Sequence, residues 1–269
     1  MSAILPHRYD TSQRPWQPGS TINRVVRLVG DNVRVIDVGS GPGMVARHLA
    51  QHGCDITVVD KDLEALRLAA GHAKRAYCVD LNDPAWTTRL AIGDRYDVVI
   101  LADVLEHLVD PDAALRHAVQ LLNDGGYVVV SLPNISHNGI MATLWNGSFK
   151  YSETGLLDRT HVRFFAPHDI EPLLEGASLV LEHVEYVTAH PRVTEFADAW
   201  EALPLRTKLA LRSNPWGNVY QFVLRARPAG QQVRGITVVG VPVPAVPDPL
   251  WKNALRPLLR LARRHHLIA

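Results

Sequence analysis

Apolar residues along this chain fall into short continuous runs, separated by stretches in which apolar positions recur every three or four residues. VRVIDV at 33 to 38, DITVVD at 55 to 60, YDVVILA at 96 to 102 and YVVVSLP at 127 to 133 are the continuous runs. Each reads as a strand buried on both faces of a sheet, because a strand with one wet face would alternate. MVARHLAQHG after Gly43 and KDLEALRLAAGHA after Asp60 carry the helical spacing, and a shorter strand is expected at 76 to 79. Asp110 as N-cap and Pro111 at the first helical position open another helix, which Gly125 and Gly126 are expected to close. Strand alternating with helix predicts an α/β fold: a mostly parallel sheet with helices on both faces and right-handed crossovers.

After Pro133 the pattern loosens, and residues 134 to 165 read as an insertion on the substrate side. A helix near 170 to 175, a strand near 179 to 187, a helical stretch around 197 to 211 and a strand at 219 to 224 are expected to complete the domain near Ala226. Three regions follow: an N-terminal lid or helix segment (1–29), the main domain (30–228) and a tail (229–269). In the tail, VPVPAVPDP reads as an extended connector. WKNALRPLLRLARRHHLIA has the spacing of a basic amphipathic helix. A proline inside a helix costs about 3 kcal/mol, so that helix is expected to begin at Pro257.

Charge alters the picture in the tail. Over the 269 residues, 28 Lys and Arg nearly balance 27 Asp and Glu, so no general attraction to nucleic acid is expected. The last 41 residues hold six bases and one acid, leaving an acidic body. The tail is therefore expected to dock on that body, on an anionic membrane surface or on a protein partner. Two cysteines, Cys54 and Cys78, make no disulfide framework and no zinc spacing, which fits a reducing, cytoplasmic setting. No run approaches 18 apolar residues, and the first residues lack the layout of a signal peptide.

The candidate chemistry starts at the end of the first strand. Gly39, Gly41 and Gly43 lack Cβ atoms, so the backbone there can turn tightly and come close to a bulky ligand at a helix N-terminus. Asp60 stands 21 residues after Gly39, at the end of the second strand, where a carboxylate can accept hydrogen bonds from ribose hydroxyls. A dinucleotide fingerprint would need glycine at the sixth position, which is Met44, so a nicotinamide cofactor is disfavoured.

DVGSGPG resembles the first motif of the class I S-adenosylmethionine (SAM) methyltransferases. The resemblance spans about residues 30 to 226 and implies a Rossmann-like class I methyltransferase fold, with SAM as cofactor. It places Asp37, Gly39, Ser40, Gly41 and Gly43 at the amino-acid end of SAM, Asp60 and Lys61 at its ribose, and Asp80 and Leu81 at its adenine. Ala102, Asp103 and His107 fall where the family has its fourth strand and site loop. Asp103 with Glu106 three residues on also fits a helix-capping pair.

Transfer of a methyl group to a hydroxyl calls for in-line alignment and removal of a proton, commonly by histidine. His137 and His161 are the candidate bases, with Asn134, Tyr151, Asp158 and Arg163 expected to meet the acceptor. Residues 131 to 165 resemble bacterial methyltransferases found beside glycosyltransferases of polysaccharide and glycosylated-metabolite pathways. That likeness implies O-methylation of a sugar-containing or other hydroxylated small molecule. The segment is also similar to methionine-biosynthesis partner proteins, which implies as alternative a noncatalytic partner, and N-methylation is the other open chemistry. Asp103 and Asp158 are single acids 55 positions apart, so no metal is expected.

Overall fold

The computed structural model describes residues 19–230 and 241–244. Seven strands form one sheet: β1 (Arg34–Val38), β2 (Asp55–Asp60), β3 (Arg75–Cys78), β4 (Tyr96–Ala102), β5 (Leu122–Pro133), β6 (Leu179–Thr188) and β7 (Val219–Pro228). Their order is β3-β2-β1-β4-β5-β7-β6. The first five are parallel, while β7 lies antiparallel between β5 and β6. The chain winds outward from β1 to β3 and then returns to place β4 on the other side of β1. That reversal opens a crevice at the carboxyl ends of β1 and β4, where open α/β sheets bind ligands.

Successive strand residues point to opposite faces, and each face buries its own set. Val35, Val58 and Ile100 pack with Val25 and Val29 of α1 (Thr21–Val29), Leu49 of α2 (Met44–Gln51) and Leu66 of α3 (Leu63–Ala69). Ile36, Val99 and Leu132 pack with Leu115 of α4 (Pro111–Val119) and Leu173 of α6 (Ile170–Gly176). This doubly wound arrangement matches the expectation for the fold.

The differences are local. α4 ends at Val119, and β5 begins at Leu122 rather than at Tyr127. Leu122 pairs with Tyr96 and Tyr127 with Val98, so Asn123 to Gly126 bulge out within the strand instead of closing a helix. The stretch from 197 to 211 is two helices, α7 (Ala197–Glu201) and α8 (Leu205–Leu211), because Pro204 cannot continue a helix and caps the second. The insertion contains a helix that its sequence did not announce, α5 (Asn138–Trp145). β7 runs on to Pro228, two residues past the expected close. The tail reading from 245 onward, and most of the connector, lie outside the described residues.

Candidate functional site

β1 ends in a turn whose three glycines have three different reasons. Gly39 has φ +75°, and a Cβ there would stand 2.6 Å from Cγ2 of Val104, in the loop after β4. Gly43 has φ +83° and caps α2, and its Cβ would strike Ala69 of α3 at 2.6 Å. Gly41 has φ +51°, yet a Cβ there would meet no protein atom within 4 Å. The first and last are packing requirements, and the middle one leaves space beside the backbone. Asp60 braces the turn: Oδ2 accepts from the Gly41 amide at 2.7 Å and Oδ1 from the Asp62 amide at 2.8 Å.

A cavity of about 690 Å³ opens in front of this turn. Gly39, Ser40, Gly41, Asp60, Lys61, Asp80, Leu81, Ala102, Asp103 and His107 all border it, whereas Gly43 does not. Thr21, Ile22 and Val25 of α1 border it too. Asp37 reaches the cavity while only 2% exposed. Burial, with the neighbouring Asp60 charge adding to it, pushes its carboxyl up to about 7. Its buried Oδ2 has no hydrogen-bond partner. An orphaned carboxylate oxygen beside an open glycine turn suits a ligand carrying a positive charge, as the ammonium and sulfonium of SAM do. The residues thus fit the cofactor implied by the sequence.

The far part of the same cavity is built by the loop after β4 and by the insertion. Asp103 takes φ +55°, and its Oδ1 accepts from Ser131 Oγ at 2.6 Å and Gln221 Nε2 at 3.0 Å. Glu106 sits in the one-turn 3-10 segment Leu105–His107 and is 1% exposed. Burial raises its carboxyl well above the ordinary range, and the charges of Asp103 and Asp158 raise it further. The insertion is pinned here because the amides of Val162 and Arg163 donate to the Glu106 carbonyl at 2.8 and 3.0 Å. That pinning delivers His161, whose ring meets His107 edge to face with centroids 4.7 Å apart. His161 Nδ1 contacts the Leu156 carbonyl at 3.2 Å, and His107 Nδ1 contacts the Thr160 carbonyl at 3.2 Å. Asp158 Oδ1 accepts from the Thr160 amide and hydroxyl at 2.8 and 2.7 Å.

Four of the residues expected at the acceptor do other work. His137 is fully buried and away from the cavity. Its Nε2 meets the Ala189 carbonyl at 2.8 Å, and its Nδ1 accepts from the Gly139 amide at 3.1 Å, capping α5. Burial lowers its pKa, favouring the neutral ring. Both ring nitrogens are thus engaged, and the structure places His137 as the cap of α5, apart from the cavity expected to hold the acceptor. Asn134 is fully buried, donating to the Trp216 and Val219 carbonyls at 3.1 and 2.8 Å. Arg163 donates to the Val109 carbonyl from Nε and Nη2 at 3.1 and 2.6 Å. Tyr151 stands exposed outside the cavity, edge to face with Phe149. The residues that sequence reading missed are Glu106, Thr160, Tyr220, Gln221 and the face of α1. Glu106 was visible in D-x-x-E-H, whose capping reading masked it.

Comparison with known proteins bears on this geometry. The family described as "Methyltransferase domain" matches residues 11–184. A ubiquinone biosynthesis O-methyltransferase of Coxiella burnetii is 24% identical over 177 residues, covering 65% of this chain and 74% of that protein. Among solved structures, a putative methyltransferase of Bacillus halodurans superposes with TM-score 0.54 at 19% identity, over 77% of this chain and 99% of that one. Magnesium protoporphyrin IX methyltransferase of Synechocystis, crystallised with bound SAH, gives 0.55 at 17% identity, over 82% and 93%. Among the described residues, no helix is long and apolar enough to cross a membrane.

Proposed function

Because this chain belongs to the class I SAM-dependent methyltransferases, we propose that it transfers the methyl group to an oxygen of a small hydroxylated acceptor. One observation carries this reading. A single cavity joins the turn Gly39 to Gly41, Asp60 and Asp80 to the polar cluster of Glu106, His107 and His161.

Gly41, Asp60 and Asp80 would hold the cofactor by its backbone-facing, ribose and adenine ends, and Asp37 would face its positive charge. When bound, SAM supplies a sulfonium methyl: an acceptor oxygen lone pair forms the new C–O bond, and the C–S pair stays on sulfur. Everything else falls to the chain. α1 and the loop from Thr154 to His161 border the cavity, and charge interactions are stronger in such a partly buried site than in open water. The acceptor hydroxyl is directed at Glu106, His107 and His161, the groups placed to take its proton. His161 keeps the candidacy that His137 loses. Oxygen is preferred over nitrogen because the relatives in ubiquinone biosynthesis are O-methyltransferases.

Titration calorimetry should show one S-adenosylhomocysteine bound per chain, and Asp60→Ala should weaken it about 10-fold or more, since two hydrogen-bonding oxygens are lost. Incubation with SAM and panels of sugar-containing and quinone-precursor alcohols should then yield a product heavier by one methyl group. No cofactor binding at millimolar concentration would overturn the reading.

A further inference from the structure

We propose that Glu106, His107 and His161 form a binding site for a first-row transition-metal dication, on which the acceptor oxygen is seated. This rests on the methyltransferase reading and deepens it, turning His161 from a candidate base into a ligand.

One ligand atom from each of the three residues can be chosen so that all lie within 4.8 Å of one another. Bonds to a shared zinc-type ion are about 2.1 Å, so its ligand atoms stand no more than about 4.2 Å apart. Side-chain shifts of several tenths of an ångström close the difference. His161 Nε2 and Glu106 Oε1 already stand 4.0 Å apart.

The protonation pattern favours a cation. Both histidines place Nδ1 against a backbone carbonyl, and a carbonyl only accepts, so Nδ1 carries the proton. In the neutral ring this leaves Nε2 as the lone-pair nitrogen, and on His161 that atom is directed at a carboxylate. A backbone carbonyl on Nδ1 is also the usual second-layer device that orients a ligating imidazole. Glu106 supplies an independent observation: it is 1% exposed, and its buried Oε2 has no hydrogen-bond partner. A carboxylate left in that state is costly unless something cationic meets it. Asp103 and Asp158 add negative charge around it, and Asp158 is tied to His107 through Thr160.

Two imidazoles and one carboxylate suit Zn²⁺, Mn²⁺, Co²⁺ or Fe²⁺ better than Mg²⁺ or Ca²⁺, which prefer all-oxygen sets. Three protein ligands leave positions open, the arrangement of catalytic rather than structural sites. An acceptor hydroxyl in an open position would have its pKa lowered and release its proton to water. Its oxygen pair would then be available for the C–O bond while the C–S pair stays on sulfur.

The test uses untagged, full-length protein stripped with a chelator and then dialysed against ZnCl₂ or CoCl₂. We expect about one Zn²⁺ per chain by elemental analysis and visible d–d absorption with Co²⁺. Glu106→Gln and His161→Gln should each weaken Zn²⁺ binding about 10- to 100-fold, while the exposed His72→Ala should not. S-adenosylhomocysteine binding, followed by calorimetry on the same samples, separates the two readings. If the wild type binds the nucleoside but takes up no stoichiometric metal, the metal site is wrong and the methyltransferase reading stands. If Zn²⁺ binds equally well to the wild type and to both variants, it sits elsewhere and the assignment also fails.

Discussion

At the scale of single residues, Asp37 shows how a buried carboxyl at the cavity opposes stability. Its carboxyl moves from 3.8 to about 7 on folding. Between those values the folded state keeps a proton that the unfolded chain has lost. Stability is therefore full below pH 3.8 and falls as pH rises through about 7, by on the order of 4 kcal/mol. Asp37→Asn should flatten that slope and be relatively more stable at alkaline pH, yet bind S-adenosylhomocysteine more weakly. Urea midpoints at about pH 5 and about pH 8 check the sign, and equal losses in both proteins would refute it. Gly39 makes the complementary point through shape. Gly39→Ala should cost about 2 to 4 kcal/mol, from overlap with Val104 and a left-handed backbone. Gly39→Ala combined with Val104→Ala should cost less than the sum of the two single changes, because the overlap is shared. Thermal melts of the three variants measure that coupling. That Gly39 sits in a tight turn was legible from its place after a strand, but its packing against Val104, 65 positions on, was not. The roles of Asn134 and His137 were not legible either, since each depends on carbonyls 52 or more residues away in the chain.

At the scale of elements, legibility followed burial. β2 and β4 begin and end where their apolar runs do, because a parallel strand covered on both faces writes its whole length in Val, Ile and Leu. β5 departs at its start, where Gly125 with φ +78° and the close-packed Gly126 bulge out of a strand instead of ending a helix. α5 was hidden for a different reason: its N-cap is a histidine, outside the usual Ser, Thr, Asp and Asn signal. That capping gives a prediction at this scale. His137→Ala should lower stability by about 1 to 3 kcal/mol, since a cap and a buried carbonyl lose their partner. Its folded pKa is lowered, so the stability it contributes is present above the unfolded value of 6.5 and fades as pH falls through that value. Cofactor affinity at a temperature where the variant stays folded should be unchanged. A large loss of methyl transfer with intact binding would instead return His137 to the chemistry.

At the scale of the whole molecule, the crevice at the sheet's reversal is bordered by a helix that is fastened to strands from late in the chain. α1 precedes β1, yet its Arg24 and Arg27 both pair with Glu185 of β6, the Arg24 contact at 2.8 Å. Thr21 Oγ1 bonds Gln221 of β7, and Tyr127 of β5 donates to the Val29 carbonyl at 2.6 Å. The helix that borders the cavity is thus fastened to three strands, β5, β6 and β7. Glu185 is 8% exposed while Arg27 is 62% exposed, so the pairing is only partly shielded and is worth on the order of 1 kcal/mol. Such a fastening can be loosened without unfolding the sheet. Glu185→Gln should speed hydrogen exchange of α1 amides and leave those of β1 and β4 as they were. Because α1 borders the cavity, S-adenosylhomocysteine affinity should fall several-fold, and saturating ligand should slow the α1 exchange again. If exchange in α1 matches the wild type with and without ligand, α1 is a fixed wall of the cavity, and cofactor entry must depend on the loop from Thr154 to His161.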